Sequence, residues 1–593
     1  MEKIKNYLPA GILTLTVLLG GGKLLWQFSI VAIAMVAYFI YAGLNKDSDK
    51  NLSGGFPGII SGLGIIPDRI LTPFILFLTW SAFSLLASRC FFPAFKNTLQ
   101  ITVYFMFFIL CVNAAGTGDG FRGTSLITLS VLCILQFLTI AYQKITGGTP
   151  YGLFPENPNF AAVFMAGISV ACLGYLLGFI RWNKNRNTSD NGDGDKSCNE
   201  TAGLLNAQCP ATVADDTAGE SKSLRLLLTA SVIAGTVGIF LGHSRTALAA
   251  LLISGGTLFI MKYKIKAVLS SGIIIAVFLL AGGDKIAERY ARINDPLAFY
   301  RPSLWNSALK IIRDNPVYGV GLGNYGNFFS RYNFPVSLPG GHTYKYHTDF
   351  AHSEPLQVAA ELGLPGLLLL VWMAVSLFSG FGGYPFAKAG ILTLLFCGLF
   401  DLTLHLPANV FMALMLAGLN QRGKTPQPHP RTHFNNKIFS VAGSMASIII
   451  LLIYSAILLS EFFAAGNNYP AASKINPFRP EFFYRQGEPY HKPDNTRDLN
   501  KKIKSLQKAS GLDPENYRYH LQLGELYILA SAKDKRQIKN ALASLNTAQE
   551  KNPYNYLTHI YLGRVFHYLG ERTRADASLR RAISLEPSIK NKI

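Results

Sequence analysis

About thirteen apolar runs, most of them long enough for a helix to cross a hydrocarbon core, limit what this chain can fold into. They fall near 7–22, 24–43, 70–88, 98–114, 124–142, 159–181, 224–241, 246–262, 266–282, 355–379, 386–402, 404–420 and 438–460. In lipid every backbone N–H and C=O must be paired within the protein, so runs of this length are read as helices. The expected fold class is all-α: a polytopic helical membrane protein of about 12–13 spans. Only 15% of the residues are charged, below the roughly 25% of soluble domains, which supports that reading. Phe56 to Ile66 is glycine-rich and too short to cross, and is expected to lie at the interface.

Orientation follows from the short loops. Lys3 and Lys5 precede the first run, and Arg181, Lys184 and Arg186 follow the sixth. Lys262, Lys264 and Lys266 join the eighth and ninth, while Arg422, Lys424, Arg431 and Lys437 precede the last. With thirteen spans and a cytoplasmic N-terminus, all four basic clusters fall on the cytoplasmic side, as basic loops do. The loop around 283–353 and the C-terminus then lie outside. The net charge of +21 is accordingly read as membrane anchoring and attraction to anionic lipid or substrate, not as a nucleic-acid surface. Met1-Glu-Lys-Ile-Lys before an apolar run, with no small-residue cleavage site, reads as an uncleaved anchor.

Four regions are expected: a membrane domain at 1–282, an outer loop at 283–353, further spans at 354–460, and a soluble outer domain at 461–593. Asn183 to Ser221, rich in Asn, Asp, Gly, Ser and Thr, reads as a disordered cytoplasmic linker. The seven cysteines include no C-x2-C pair, so neither a zinc site nor a disulfide framework is indicated.

The last region repeats itself. Leu562-Gly563-x2-Phe566, Ala575, Leu579, Ala582 and Pro587 form one unit. Leu523-Gly524-x2-Tyr527, Ala541, Leu545, Ala548 and Pro553 form another, with about five residues inserted between its helices. Leu506, Ala509 and Pro514, with Gly487 and Tyr490, make a degraded third. These spacings resemble the tetratricopeptide repeat, which implies a solenoid and a possible protein partner.

A second resemblance sits in the outer loop. Arg301-x3-Trp305, then Asn315-Pro316-x2-Gly319-x-Gly321-x-Gly323, then His352-x3-Leu356-Gln357-x3-Glu361-x-Gly363-x2-Gly366 resembles the signature of the O-antigen ligase and polymerase superfamily. That superfamily also includes the bacterial O-oligosaccharyltransferases. Where many members carry Asn directly after the histidine, this chain has Ser353-Glu354-Pro355.

Crossing parity gathers polar residues from distant parts of the chain on the outer face. They are Asn157 and Asn159, Arg245, Arg301, His352, and Asp401 with His405. Two arginines beside a membrane suit a pyrophosphate, because each guanidinium offers a planar fork of donors. A histidine takes a proton from a hydroxyl near neutral pH. The resemblance implies a bacterial inner-membrane, glycosyltransferase-C-like enzyme that uses no metal or other cofactor. Its donor would be a glycan on undecaprenyl pyrophosphate; its acceptor would be lipid A-core, protein or a growing glycan. By motif, His352 is the expected catalytic residue and Arg245 and Arg301 bind substrate; His405 and Asn159 join them by location.

Structural roles compete at each position. Arg245 can cap a helix or reach lipid headgroups, and Arg301 can pair with Asp295 or Asp314. His352 can be an ordinary helix-start residue and His405 an interfacial one, while His342 and His347 read as solvated. Glu361 reads as a brace for the helix start, and Trp305 with Gly319, Gly321 and Gly323 as loop architecture. A polymerase on the same donor stays open, as does a non-catalytic transporter of lipid-linked glycan that uses the tail for docking. A transporter is expected to keep polar residues at mid-membrane depth, whereas these gather at one face.

Overall fold

A computed structural model describes residues 2–44, 68–116, 119–155, 157–179, 222–264, 300–338, 341–344, 346–378, 384–421, 436–487 and 496–590. The span expected at 266–282, the stretch 56–66, the linker 183–221, Asp295 and Tyr490 lie outside these residues.

Eight described helices are long and apolar enough to cross a membrane: Ile70–Ala87, Phe91–Ala115, Gly120–Ile145, Pro158–Leu176, Lys222–Leu241, Arg245–Tyr263, Glu354–Phe378 and Ser444–Ala465. Four shorter apolar helices, Asn6–Leu18, Leu25–Tyr41, Pro385–Phe400 and Pro407–Asn420, complete the set. These twelve correspond to all the expected spans except 266–282. The chain is a multi-pass helical membrane protein. The strands among the described residues form one short antiparallel hairpin in the loop, Val336–Leu338 against Gly341–Thr343, with Ser337 opposite His342.

The Pro158–Leu176 helix is the axis of the bundle. It is buried along most of its length and packs against the helices Lys222–Leu241, Pro385–Phe400 and Arg245–Tyr263. Small residues permit the close approach. A side chain at Gly235 would meet Ser169 and Cys133, and one at Gly174 would meet the Phe386 backbone. Asn157 starts the helix by accepting a hydrogen bond from the Asn159 amide, and Pro158 fits the first turn because its missing N–H would have no helical partner.

The loop is fixed to the membrane helices at a deliberate break. Glu354–Phe378 is interrupted at Gly363, whose backbone leaves the helical region (φ 71°, ψ −177°), and Pro365 follows. The break strands carbonyls that would be costly to leave unpaired at a membrane surface. The loop supplies the donors: Val320 N–H to Ala360 O and Gly321 N–H to Glu361 O, each at 2.9 Å. Trp80 Nε1 donates to Leu362 O at 2.8 Å, and Leu364 N–H returns to Pro316 O at 2.8 Å. Gly319 has a left-handed φ of 65°, and a Cβ there would collide with the Glu361 backbone. The glycine run thus seats the loop on the broken helix. Glu361 accepts from Gln357 Nε2 at 2.7 Å and from the Tyr325 amide at 3.4 Å.

The C-terminal helices form successive pairs: Pro480–Gly487 with Thr496–Leu512, Tyr517–Ser531 with Gln537–Lys551, and Tyr556–Tyr568 with Arg572–Leu585. One contact recurs in each pair, a glycine of the first helix (Gly487, Gly524, Gly563) against a leucine of the second (Leu506, Leu545, Leu579). This layer rests on the loop. Glu515, 2% exposed, meets Arg89 at 2.8 Å, Arg331 at 2.7 Å and Lys551 at 3.1 Å. Nearby, Asn327 Nδ2 donates to Asp513 Oδ2 at 3.0 Å.

Candidate active site

The polar residues of the loop face converge on one carboxylate. Asp401 follows the C-terminus of the Pro385–Phe400 helix, where the chain turns extended, and its side chain is 2% exposed. Its Oδ2 accepts from Asn159 Nδ2 at 2.9 Å and from an Arg301 guanidinium nitrogen at 3.1 Å. Its Oδ1 accepts from the Leu402 amide at 2.9 Å and lies 3.6 Å from His352 Nδ1. That last separation suits an ion pair but is long for a hydrogen bond, and Nδ1 has no hydrogen-bond partner among the described residues. Burial alone raises the pKa of Asp401. The approach of His352 and the charge of Arg301 outweigh it, so the carboxyl group is held below its ordinary range and stays ionised.

Arg301 opens the loop helix Arg301–Asp314 and also donates to Thr246 Oγ1 at 3.3 Å. Its pairing with Asp401 differs from the loop pairing considered for it; Asp314 instead meets Arg313 and the Tyr332 hydroxyl. Arg245 and Thr246 begin the Arg245–Tyr263 helix, capped by Ser244, and the Arg245 side chain is exposed. Arg245 therefore stands beside the residue that Arg301 touches.

His352 precedes the Glu354–Phe378 helix with a left-handed φ of 52°, a conformation uncommon for a residue with a Cβ. Two contacts hold it there. Gln357 Oε1 accepts from the Ala351 amide at 2.7 Å, and Trp305 Nε1 donates to His352 O at 3.3 Å. The site thus gathers the first turns of three helices, those starting at Pro158, Arg245 and Arg301, with His352 just ahead of a fourth. Their N-terminal dipole ends favour an anion, as do the two arginines.

His405 stands next to this group with a different partner. Its Nδ1 lies 3.2 Å from Glu354 Oε1, which also accepts from the Leu404 amide at 2.6 Å, and Phe350 meets its ring edge-on. Burial lowers the imidazole pKa, but the Glu354 charge outweighs it, and the net shift is upward. Glu354 lies within the Ser353-Glu354-Pro355 stretch that departs from the family signature, and its carboxylate is committed to the 404–405 turn. His347 pairs with Asp349 at 3.2 Å.

The sequence placed Asp401 on this face without a role, and it gave none to Thr246 or Glu354. The available signal for Asp401 was a lone acid between two apolar runs.

Residues 230–371 match the family model described as O-antigen ligase. Over these residues the chain carries an O-antigen ligase domain. No curated protein sequence matches it. The match assigns a ligase-like glycosyltransferase domain and contains Arg245, Arg301 and His352. Asn159, Asp401 and His405 come from outside the matched O-antigen ligase segment, yet Asp401 is what ties Asn159, Arg301 and His352 together.

Proposed function

We propose that this protein moves a glycan from undecaprenyl pyrophosphate to an acceptor hydroxyl at the periplasmic face of a bacterial inner membrane. The observation that carries the reading is the buried Asp401 carboxylate, which collects Arg301, Asn159 and His352 where helix N-termini gather. With its proton on Nδ1, toward Asp401, His352 presents Nε2 as a base. The acceptor O–H gives its proton to Nε2 and the oxygen attacks the anomeric carbon. The bond from that carbon to the phosphate oxygen breaks, and the pyrophosphate leaves with the electron pair. Arg301 and Arg245 stabilise the charge that develops on it. Asp401 orients the imidazole and stabilises its protonated form. Arginines fill the role that a divalent ion serves elsewhere, so transfer proceeds in chelator.

Deleting the gene and examining lipid-linked glycan tests the reading. Long chains accumulating on the carrier are expected for a ligase. Single repeat units would identify a polymerase instead, and an unchanged carrier pool with unchanged surface glycan would overturn both.

A further inference from the structure

A cavity lies where the loop meets the C-terminal helices, away from the Asp401 site. It encloses about 140 Å³ of water-accessible space. Tyr344 and Tyr346 line it from the loop, and Tyr554 and Tyr556 line it from the C-terminal domain. Tyr344 and Tyr554 stack across the junction, ring centroids 4.6 Å apart and planes within 7°. Asn552 and Arg518 add amide and guanidinium groups to the wall. Asn333 fixes the loop side by donating to both the Tyr344 and Tyr346 carbonyls, at 2.8 and 2.9 Å.

We propose that this cavity is a carbohydrate subsite that takes one sugar ring of a glycan engaged at the transfer site, with the C-terminal domain supplying half of it. Sugar rings carry apolar C–H faces and a rim of hydroxyls. A wall of tyrosines meets the faces, and planar amide and guanidinium groups meet the rim. The volume is below the roughly 300–1,000 Å³ of pockets for whole small ligands, which suits a single ring held within a longer chain. Position agrees with this. His347 also lines the cavity, five residues before His352 on the same segment, and five residues span at most about 18 Å when fully extended. A glycan whose reacting end is at His352 therefore reaches the cavity within a few sugar units. The proposal rests on the glycosyl-transfer reading. It extends that reading by making the C-terminal domain part of the glycan site and not only a tether for a protein partner.

The test uses the full-length protein in nanodiscs and saturation-transfer NMR with two probes. One is oligosaccharide released from the host's lipid-linked glycan pool; the other is oligosaccharide released from its lipopolysaccharide core. Binding of either supports the subsite, and the probe that binds shows whether donor or acceptor glycan occupies it. Tyr344→Ala and Tyr554→Ala are expected to weaken that binding at least about five-fold, while Tyr554→Phe, which keeps the ring, and His352→Ala retain it. Hydrogen exchange at 517–568 checks that the variants remain folded; should Tyr554→Ala unfold the tail, Arg518→Gln replaces it and is expected to reduce binding as well. No binding of either probe to the wild-type protein, or equal binding by all folded variants, would overturn the subsite. Transfer lost in His352→Ala under any of these outcomes would leave the transfer reading standing. Transfer unaffected by His352→Ala would remove that reading whatever the NMR shows.

Discussion

Two buried carboxylates organise this molecule, and they are used differently. Glu515 is met by Arg89, Arg331 and Lys551, one each from the turn before a membrane helix, the loop and the C-terminal domain. All three cations sit within bonding distance, and their charges hold Glu515 below its ordinary pKa although burial opposes this. Asp401 also collects partners from separate segments, but the contact with His352 is left long and the imidazole keeps an unmatched nitrogen. The first arrangement is saturated and locks two layers together. The second holds a histidine and an arginine in place while leaving each partly exposed, at 24% and 28%. Saturation separates a latch from a site more clearly than burial does, since both acids are equally buried.

The Asp401 group would be a latch as well if its charge served stability alone. Asp401→Asn keeps the shape but removes the charge that orients His352, and transfer is expected to fall about 10²–10⁴-fold, as on loss of general base assistance. A thermal-shift assay on the same variant is expected to show a modest change. Wild-type transfer with a large loss of stability would reclassify Asp401 as structural. Arg301→Lys keeps the charge but loses the planar fork, so a drop on the order of 10²-fold is expected, with the protein still inserted. Single-turnover assays on saturating donor check it.

Glu515→Ala tests the latch. Removing one partner of a buried ion pair costs up to about 3–5 kcal/mol. Faster hydrogen exchange at 327–331 and 513–551 is expected, with only a secondary effect on transfer. Unchanged exchange there would mean that the C-terminal domain is held by its other contacts.

The smallest effect concerns His405. Its pKa is raised in the folded protein from an ordinary 6.5, so its stabilisation is complete below that value and is lost as pH rises through the higher one. The stability gap between wild type and His405→Gln is therefore expected to shrink as pH rises above 6.5. A gap that widens would contradict the pairing with Glu354.

The membrane helices were legible because apolar length is a local signal, readable without knowing what packs on what. The loop face was legible through crossing parity, which put Asn159, Arg245, Arg301, His352 and His405 on one side. What parity cannot supply is contact. Asp401 lies 100 residues from Arg301 and 242 from Asn159, and only the packing of Pro385–Phe400 against Pro158–Leu176 brings the three together. The same holds for Glu515 and Arg89, separated by 426 residues. The glycines at 319 and 363 were visible as a motif, but their purpose, seating the loop on carbonyls released by a broken helix, is a property of two segments at once.

His352, positioned by Asp401, is proposed as the base for transfer from a lipid-linked pyrophosphate. Purified protein in nanodiscs, supplied with lipid-pyrophosphate-linked glycan and acceptor, measures it directly through donor binding and transfer in parallel. His352→Ala is predicted to bind donor as the wild type does and to transfer almost none of it. Transfer at the wild-type rate by His352→Ala would contradict the account.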